Sequence, residues 1–390
     1  MTLFGPPVPG ATLELAALTT FGLEALAAAE LEQLGHPPAS VENGRLQFQG
    51  TLADLAQANL WLRTADRVVL RLAEFAASDF DALFAGVEAV RWEEFLPEDA
   101  RLTVRARSHR SLLSGVPACQ AAVKKGIVHA LHRRYRRDRF PETGPEYAVE
   151  LALNQDRALL TLDTSGEGLH RRGYRRRAGE APLRETLAAA LVLLSHWDPS
   201  RPLADPLCGS GTIPIEAALL GRGLAPGRSR RFAAEAWPHV PPRIWSEARA
   251  AMRDRERRTQ GTALNVRGSD RDARVVELAR RNAREAGVAD VLDFQVSPAE
   301  GFRSEERLGC LICNPPYGER LGEEREVEEL YRRLGRAFRA LPDWSVFVLC
   351  GHPGFEKLYG QRADKNRKLY NGNLKTYLYQ YYGPLPRPGA

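Results

Sequence analysis

Residues 205 to 212 read Asp-Pro-Leu-Cys-Gly-Ser-Gly-Thr, and no other stretch restricts the fold as strongly. A short apolar run, Pro202-Leu203-Ala204, precedes it. A helical run carrying Ile213, Ile215, Ala217, Ala218, Leu219 and Leu220 follows. The pattern is strand, glycine loop, helix. Gly209 and Gly211 let the backbone come close to a ligand, and a helix N-terminus points at that ligand. This is a nucleotide-binding unit of an α/β fold. It is not a Walker loop, because no Gly-Lys-Ser/Thr occurs. It is not a dinucleotide fingerprint either, because Pro214 stands where the third glycine of Gly-x-Gly-x-x-Gly belongs. Asp205 at the strand end repels a pyrophosphate. It suits a ligand with an ammonium group, such as the methionine end of S-adenosylmethionine (SAM).

The next acidic strand end is Asp270, closing Leu264-Asn265-Val266-Arg267-Gly268-Ser269-Asp270. A carboxylate there can accept from both hydroxyls of a ribose. The spacing predicts a helix over 273–285, closed by Gly287. Asp270 could instead cap that helix, a task Asp272 can also perform. About a hundred residues beyond the glycine loop, Asn314-Pro315-Pro316-Tyr317 follows the apolar run Leu308 to Cys313. Asn314 offers a side-chain carbonyl. The Pro-Pro step fixes the chain direction, so the Pro315 carbonyl can stand beside it. Tyr317 offers a ring on which a base can stack. Two acceptors can take both hydrogens of an exocyclic NH2 and leave its nitrogen facing a methyl donor. Read without these partners, Asn-Pro-Pro is also ordinary turn chemistry after a strand.

Taken together, these blocks resemble a known family. Residues 170 to 382 look like a class I SAM-dependent methyltransferase of the amino-methylating kind. The whole chain resembles the THUMP-domain RNA methyltransferases, the RlmL/TrmN-like group that methylates guanine N2. The matching stretches are His170 to Arg175, Ala181 to Leu187, Asp205 to Ala218, Asn314 to Gly318 and Asn371 to Leu374. The fold this implies is a Rossmann-like α/β methyltransferase domain behind ferredoxin-like and THUMP α+β domains. The expected ranges are 1–65 (ferredoxin-like), 66–167 (THUMP) and 168–390 (methyltransferase). The resemblance implies a SAM site from Asp205, Cys208, Gly209, Ser210, Gly211, Thr212, Asp270 and Asn314, with Tyr174, Arg184 and Thr186 closing over the cofactor. It implies a target site at Asn314, Pro315, Pro316 and Tyr317. One departure stands out. Many such enzymes place an acidic residue after the third strand to bind the adenine amine, and here Ser297 holds that position. Ser297, a backbone amide or Glu300 is left to serve the adenine.

Charge distribution bears on the partner. Residues 1–100 hold 5 Arg/Lys against 15 Asp/Glu, while residues 101–177 hold 17 against 7. A stretch at +10 between an acidic region and a catalytic one suggests a polyanion footprint. Lys124, Lys125, Arg133, Arg134, Arg136 and Arg137 lie on or just after a predicted helix from Pro117 to Tyr135, and as a group they are candidate RNA contacts. The element order before it, with an Asn43-Gly44 hairpin signal, reads as a ferredoxin-like layer. RNA is therefore the expected partner, and the resemblance of the full-length pattern to RlmL implies large-subunit rRNA ahead of tRNA. Transfer to DNA adenine or cytosine, or to a protein glutamine, uses similar motifs. The N-terminal 165 residues argue for RNA instead. A non-catalytic RNA-binding factor with a relic pocket is the reading from another class.

The five cysteines lack metal-ligand spacing. Cys310 and Cys313 form a C-x-x-C pair on a predicted buried strand and are expected to pack in the core. No apolar run approaches the roughly eighteen residues of a membrane span. Met1 to Gly10 does not read as a signal peptide, and the expected compartment is cytoplasmic. Residues 221–262, rich at first in Gly, Pro and Arg with Trp237 and Trp245, form an insertion. A lid, an RNA-facing loop and a wrap around the sheet are its three readings.

Overall fold

The computed structural model describes residues 1–137, 139–175, 183–259, 261–317 and 324–384. Ala181, Pro182 and Gly318 of the matching stretches lie outside them. The chain divides into two compact units: residues 1–19, 27–169 and 230–251 form one, and residues 20–26, 170–229 and 252–390 form the other.

The first unit contains β1 (Thr2–Leu3), β2 (Leu13–Thr19), α1 (Glu24–Gln33, mostly in this unit), β3 (Ser40–Glu42), β4 (Arg45–Gly50), α2 (Leu52–Trp61) and β5 (Ala65–Ala76). It continues with α3 (Phe80–Glu88), β6 (Arg101–His109), α4 (Val116–Tyr135), β7 (Glu146–Asn154) and β8 (Arg157–Asp163). The strands form one sheet in the order β3-β4-β2-β5-β8-β7-β6, with β1 paired to β5. The long β5 joins its halves, pairing with β2 through Leu15↔Leu70 and with β8 through Leu70↔Leu162. The β3–β4 hairpin turns at Asn43-Gly44 with Gly44 at φ +73°. The β7–β8 hairpin turns at Gln155 and Asp156, at φ +50° and +59°, as a two-residue turn matched to strand twist requires. A buried polar knot ties α2 to the end of β8. The Asn59 amide donates to Thr164 Oγ1 at 2.9 Å, and Ser165 Oγ donates to Asn59 Oδ1 at 2.6 Å.

The second unit contains α5 (Glu185–Leu194), β9 (Leu203–Asp205), α6 (Thr212–Gly221), the end of α7 (Pro242–Arg258), β10 (Val266–Asp270), α8 (Ala273–Ala286) and β11 (Leu292–Val296). After these come β12 (Cys310–Cys313), α9 (Glu324–Phe338), β13 (Ser345–Cys350), α10 (Phe355–Tyr359), β14 (Lys365–Asn371) and β15 (Leu374–Tyr381). The sheet order is β11-β10-β9-β12-β13-β15-β14; β9 to β13 run parallel, and β15 is antiparallel to β13. Alternation along the strands feeds two cores. Leu203, Cys310, Ile312, Phe347 and Leu349 face one layer with Leu187 and Leu191 of α5. Leu311, Cys313, Val346 and Val348 face the other with Tyr331, Leu334 and Phe338 of α9. Burial on both faces explains why these strands are nearly continuous apolar runs. Cys310 and Cys313 therefore point to opposite layers, and both thiols are buried and free, as core packing requires. Among the described residues, no helix is long and apolar enough to cross a membrane.

The middle part of the insertion, residues 230–251, packs into the first unit. Trp237 stacks on Tyr147 of β7 with ring centroids 4.9 Å apart, and its indole N–H donates to the Glu146 carbonyl at 3.2 Å. Phe232 stacks on Trp245 at 5.2 Å, and the Arg230 guanidinium donates to the Gly168 carbonyl at 2.6 Å. Trp237→Ala is expected to cost about 3–5 kcal/mol, the usual loss for a fully buried aromatic. A shift in the guanidinium denaturation midpoint measures it, and an unchanged midpoint refutes the assignment of Trp237 to this core.

Candidate active site

In an open parallel sheet, ligands bind beyond the carboxyl ends of the strands where the order reverses. Here β9 lies between β10 and β12, so the reversal falls at β9. Asp205 ends β9, Asp270 ends β10, and Asn314 follows the last residue of β12. The pairing Leu311↔Ala204 brings Asp205 and the Asn314 loop to the same end of neighbouring strands.

The glycine loop is pinned by its surroundings. The Cys208 N–H donates to the Ser269 carbonyl at 2.9 Å, and the Gly209 N–H to Asp270 Oδ2 at 3.1 Å. The Asn282 amide of α8 donates to the Ser210 carbonyl at 3.0 Å, and Arg175 to Thr212 Oγ1 at 3.3 Å. Gly211 sits at φ +82°, and a Cβ there would lie 2.9 Å from that of Ala279 and 3.0 Å from the Phe294 ring. A Cβ at Gly209, φ +51°, would meet nothing within 4 Å, so the loop keeps open space in front of that residue. Gly211→Ala is accordingly expected to destabilise the protein by about 2–3 kcal/mol through strain and overpacking. Gly209→Ala is expected to cost only the ~1 kcal/mol of a left-handed non-glycine residue. Urea denaturation of both variants checks the contrast; equal losses contradict it.

Two carboxylates face this end of the sheet. Asp205 is buried and accepts the Leu207 N–H at 3.1 Å. Burial first and Asp270 second hold its carboxyl well above the usual range. Asp270 Oδ1 accepts the Asp272 N–H at 3.0 Å. The cap of α8 falls to Asp272, whose side chain accepts from the Arg274 N–H at 2.8 Å, so Asp270 is not the helix cap. A cleft of about 200 Å³ runs beside the strand ends, lined among others by Asp205, Gly268, Ser269, Ser297 and Phe302. Ser297 lines it, whereas Glu300 pairs with Arg333 at 3.6 Å. A buried carboxyl, a second carboxylate and a glycine cradle with open space form a donor set that fits a cationic nucleoside.

The Asn314 loop is also held from below. Tyr331 of α9 donates to the Pro316 carbonyl at 2.6 Å, and the Cys350 thiol reaches the Tyr331 hydroxyl at 3.4 Å. Burial, with Cys350 next, pushes the Tyr331 hydroxyl far above its ordinary range, so it stays a donor. Asn314 and Tyr317 are half-buried, Pro315 is buried and Pro316 exposed. The Tyr317 hydroxyl donates to Asn314 Oδ1.

Of the remaining expected site residues, Tyr174 packs in one cluster with Cys208 of the glycine loop. Tyr174 is buried behind α6 and donates to Glu216 Oε1 at 3.1 Å, with Arg172 on the same oxygen. Thr186 is buried at the start of α5, and Arg184 is half-buried just before it. Lys124, Lys125, Arg133, Arg134, Arg136 and Arg137 are all exposed. Three meet carboxylates: Lys124 with Glu142 at 3.0 Å, Arg133 with Glu88 at 3.1 Å, and Arg137 with Glu98 at 2.7 Å. Arg175 and Glu216 fall inside matching stretches, but their contacts, and all of Tyr331's role, depend on partners distant along the chain.

The strand order and the strand-end carboxylates define a class I methyltransferase fold. Residues 172–380 match the RMKL-like methyltransferase domain, residues 14–69 the RlmL ferredoxin-like domain and residues 77–163 the THUMP domain. The chain belongs to this RMKL-like methyltransferase family. It is 45% identical over 373 residues to YpsC, a candidate RNA methyltransferase of Bacillus subtilis strain 168, covering 95% of this chain and 96% of that one. Among solved structures it resembles a protein of Listeria monocytogenes described as a "predicted N6-adenine-specific DNA methylase" (TM-score 0.90, 47% identity, 96% and 97% of the two chains). It is also similar to SMU.472, a candidate methyltransferase complexed with SAH (TM-score 0.89, 43% identity, 96% and 99% covered). TrmN from Thermus thermophilus, at 22% identity and TM-score 0.68 over 96% and 100% of the chains, shares the fold.

Proposed function

We propose that this protein transfers a methyl group from SAM to the exocyclic N2 of a guanine in RNA, with 23S rRNA as the substrate. The observation that supports the reading is that Asn314 and the buried Asp205 stand at the same ends of two paired strands at the switch point, in a chain that also has a THUMP domain. SAM is the cofactor of the family, and a neighbour at 43% identity is complexed with SAH. Asp205 would hold its ammonium group and Asp270 its ribose, with Gly209, Ser210, Gly211 and Thr212 forming the cradle, Cys208 closing its base and Ser297 nearest the adenine. Tyr174, Arg184 and Thr186 would support this site, Tyr174 through Glu216. When bound, SAM supplies an electrophilic methyl.

The chain's own residues then have one task. A guanine amine is a poor nucleophile, because its lone pair is delocalised into the ring. Asn314 Oδ1 and the Pro315 carbonyl accept its two hydrogens and pull the nitrogen toward tetrahedral geometry. Tyr317 releases Asn314 and stacks on the base, and Tyr331 fixes the loop through Pro316. Most of the rate comes from positioning and electrostatics. The target base leaves its stack at a cost of roughly a few kcal/mol. The proposed division of labour is a ferredoxin-like domain over 1–65, a THUMP domain over 66–167 and catalysis in 168–390. The exposed cations on and just after α4, Lys124 to Arg137, would contact RNA, in the cytoplasm.

The Listeria description favours a second reading, N6-adenine methylation of DNA. Methyl incorporation from labelled SAM separates the two. Total RNA lacking the modification and total DNA are offered together, followed by nucleoside mass spectrometry. N2-methylguanosine in the rRNA fraction is expected. N6-methyladenine in DNA, with unlabelled RNA, replaces the proposal with the second reading.

A further inference from the structure

We propose that the groove lined by Arg45, Arg107, Arg110 and Arg157 on the first unit seats one RNA strand by its phosphodiester backbone. This rests on the RNA reading above and adds a site to it, away from α4. The groove has a volume of about 930 Å³ and lies where β4 and the β3–β4 turn come near the ends of β6, β7 and β8. In the sheet order, β4 and β6 are separated by β2, β5, β8 and β7. The sheet must therefore curl to let Arg45 and Arg107 line one cavity.

That closeness has an electrostatic cost. Burial first, and Arg107 second, hold the Arg45 guanidinium below its ordinary range. The neighbouring carboxylates only partly compensate. Glu42 stands 3.8 Å from Arg45, Glu150 lies 2.9 Å from Arg107, and Glu74 takes Arg157 at 2.8 Å. Arg110, exposed at φ +48°, has no ion pair among the described residues. Four arginines against Glu42 and Glu74 leave the lining positive. A phosphodiester laid along it would relieve the like-charge contact and engage planar forks suited to phosphate. No Phe, Tyr or Trp lines the groove, and the imidazole of His109 is the one ring in its lining, so base stacking is limited there. Asn43, Gln47, Asn154 and Gln155 offer amides at the edges. This points to backbone contact with little sequence preference.

The test uses the full chain and a short fluorescent single-stranded RNA of mixed sequence. Arg45→Gln with Arg107→Gln is expected to weaken binding at least tenfold. It should also reduce the salt slope by about 1.4, since each single-strand phosphate contact contributes about 0.7. Arg110→Gln leaves no carboxylate unpaired, so it keeps the test open should the double variant fold poorly; about threefold weaker binding is expected. Unchanged affinity and slope in both variants, with wild-type protein that methylates RNA, overturn the groove alone. Wild-type protein that neither binds nor methylates RNA overturns the RNA reading beneath it.

Discussion

Asn314→Ala is expected to lower kcat by about 10²–10³-fold, the usual loss when one preorganised polar group at the reacting centre is removed. Its affinity for SAM should stay within about threefold. The reason is geometric. Asn314 follows β12, the loop it opens is fixed by Tyr331 on the Pro316 carbonyl, and the glycine cradle is pinned separately through Ser269, Asp270 and Asn282. Removing the carboxamide deletes an acceptor for the target amine and leaves the cradle intact. Single-turnover rates with RNA and calorimetry with SAM give the two quantities. A parallel fall in both would make Asn314 chiefly a cofactor contact. Tyr317 refines the test, because its hydroxyl donates to Asn314 Oδ1. Tyr317→Phe frees that acceptor and keeps the ring, so it should retain far more activity than Tyr317→Ala.

What could be read from the chain follows from how local each signal is. The glycine loop, the Asp270 strand end and the Asn43-Gly44 turn each depend on a few adjacent residues, and each stands where it was expected. Gly287, the left-handed cap of α8 at φ +72°, is of the same kind. The double role of β5 is different. Its pairing with both β2 and β8 makes one sheet of two halves, and nothing in an apolar run states how many partners it has. Ser345 to Cys350 is buried throughout, so it shows no alternation that would mark a strand. Trp237 and Trp245 announced buried aromatics inside the insertion, but only Tyr147 and Phe232 reveal which core they fill. The cations on and just after α4 read in sequence as one group of candidate RNA contacts. Glu88, Glu98 and Glu142, distant in sequence, neutralise three of them. Composition records such charges without recording their partners, which is why the groove at Arg45 and Arg107 was invisible to it.

Asp205 sets the second large effect, and its sign follows from the direction of its shift. Burial, with Asp270 beside it, raises the carboxyl well above the ordinary 3.8. Between that value and the raised one, the folded ligand-free protein holds a proton that the unfolded chain has released. The stability contribution of Asp205 therefore falls as pH rises through this window and is lowest once the carboxyl ionises. A ligand bearing an ammonium group prefers the ionised form, so its binding must expel the proton. SAM affinity is then expected to rise with pH, by up to about tenfold per unit, and to flatten above the raised pKa. Asp205→Asn should remove the pH dependence and weaken binding by about 10–100-fold at the plateau, the worth of one charge-assisted hydrogen bond. Calorimetry in two buffers of different ionisation enthalpy counts the proton directly. Release that vanishes in Asp205→Asn ties the proton to this carboxyl. Wild-type affinity that is flat from about pH 5 to 9, with no proton released, would mean that Asp205 does not face the cationic end of the cofactor.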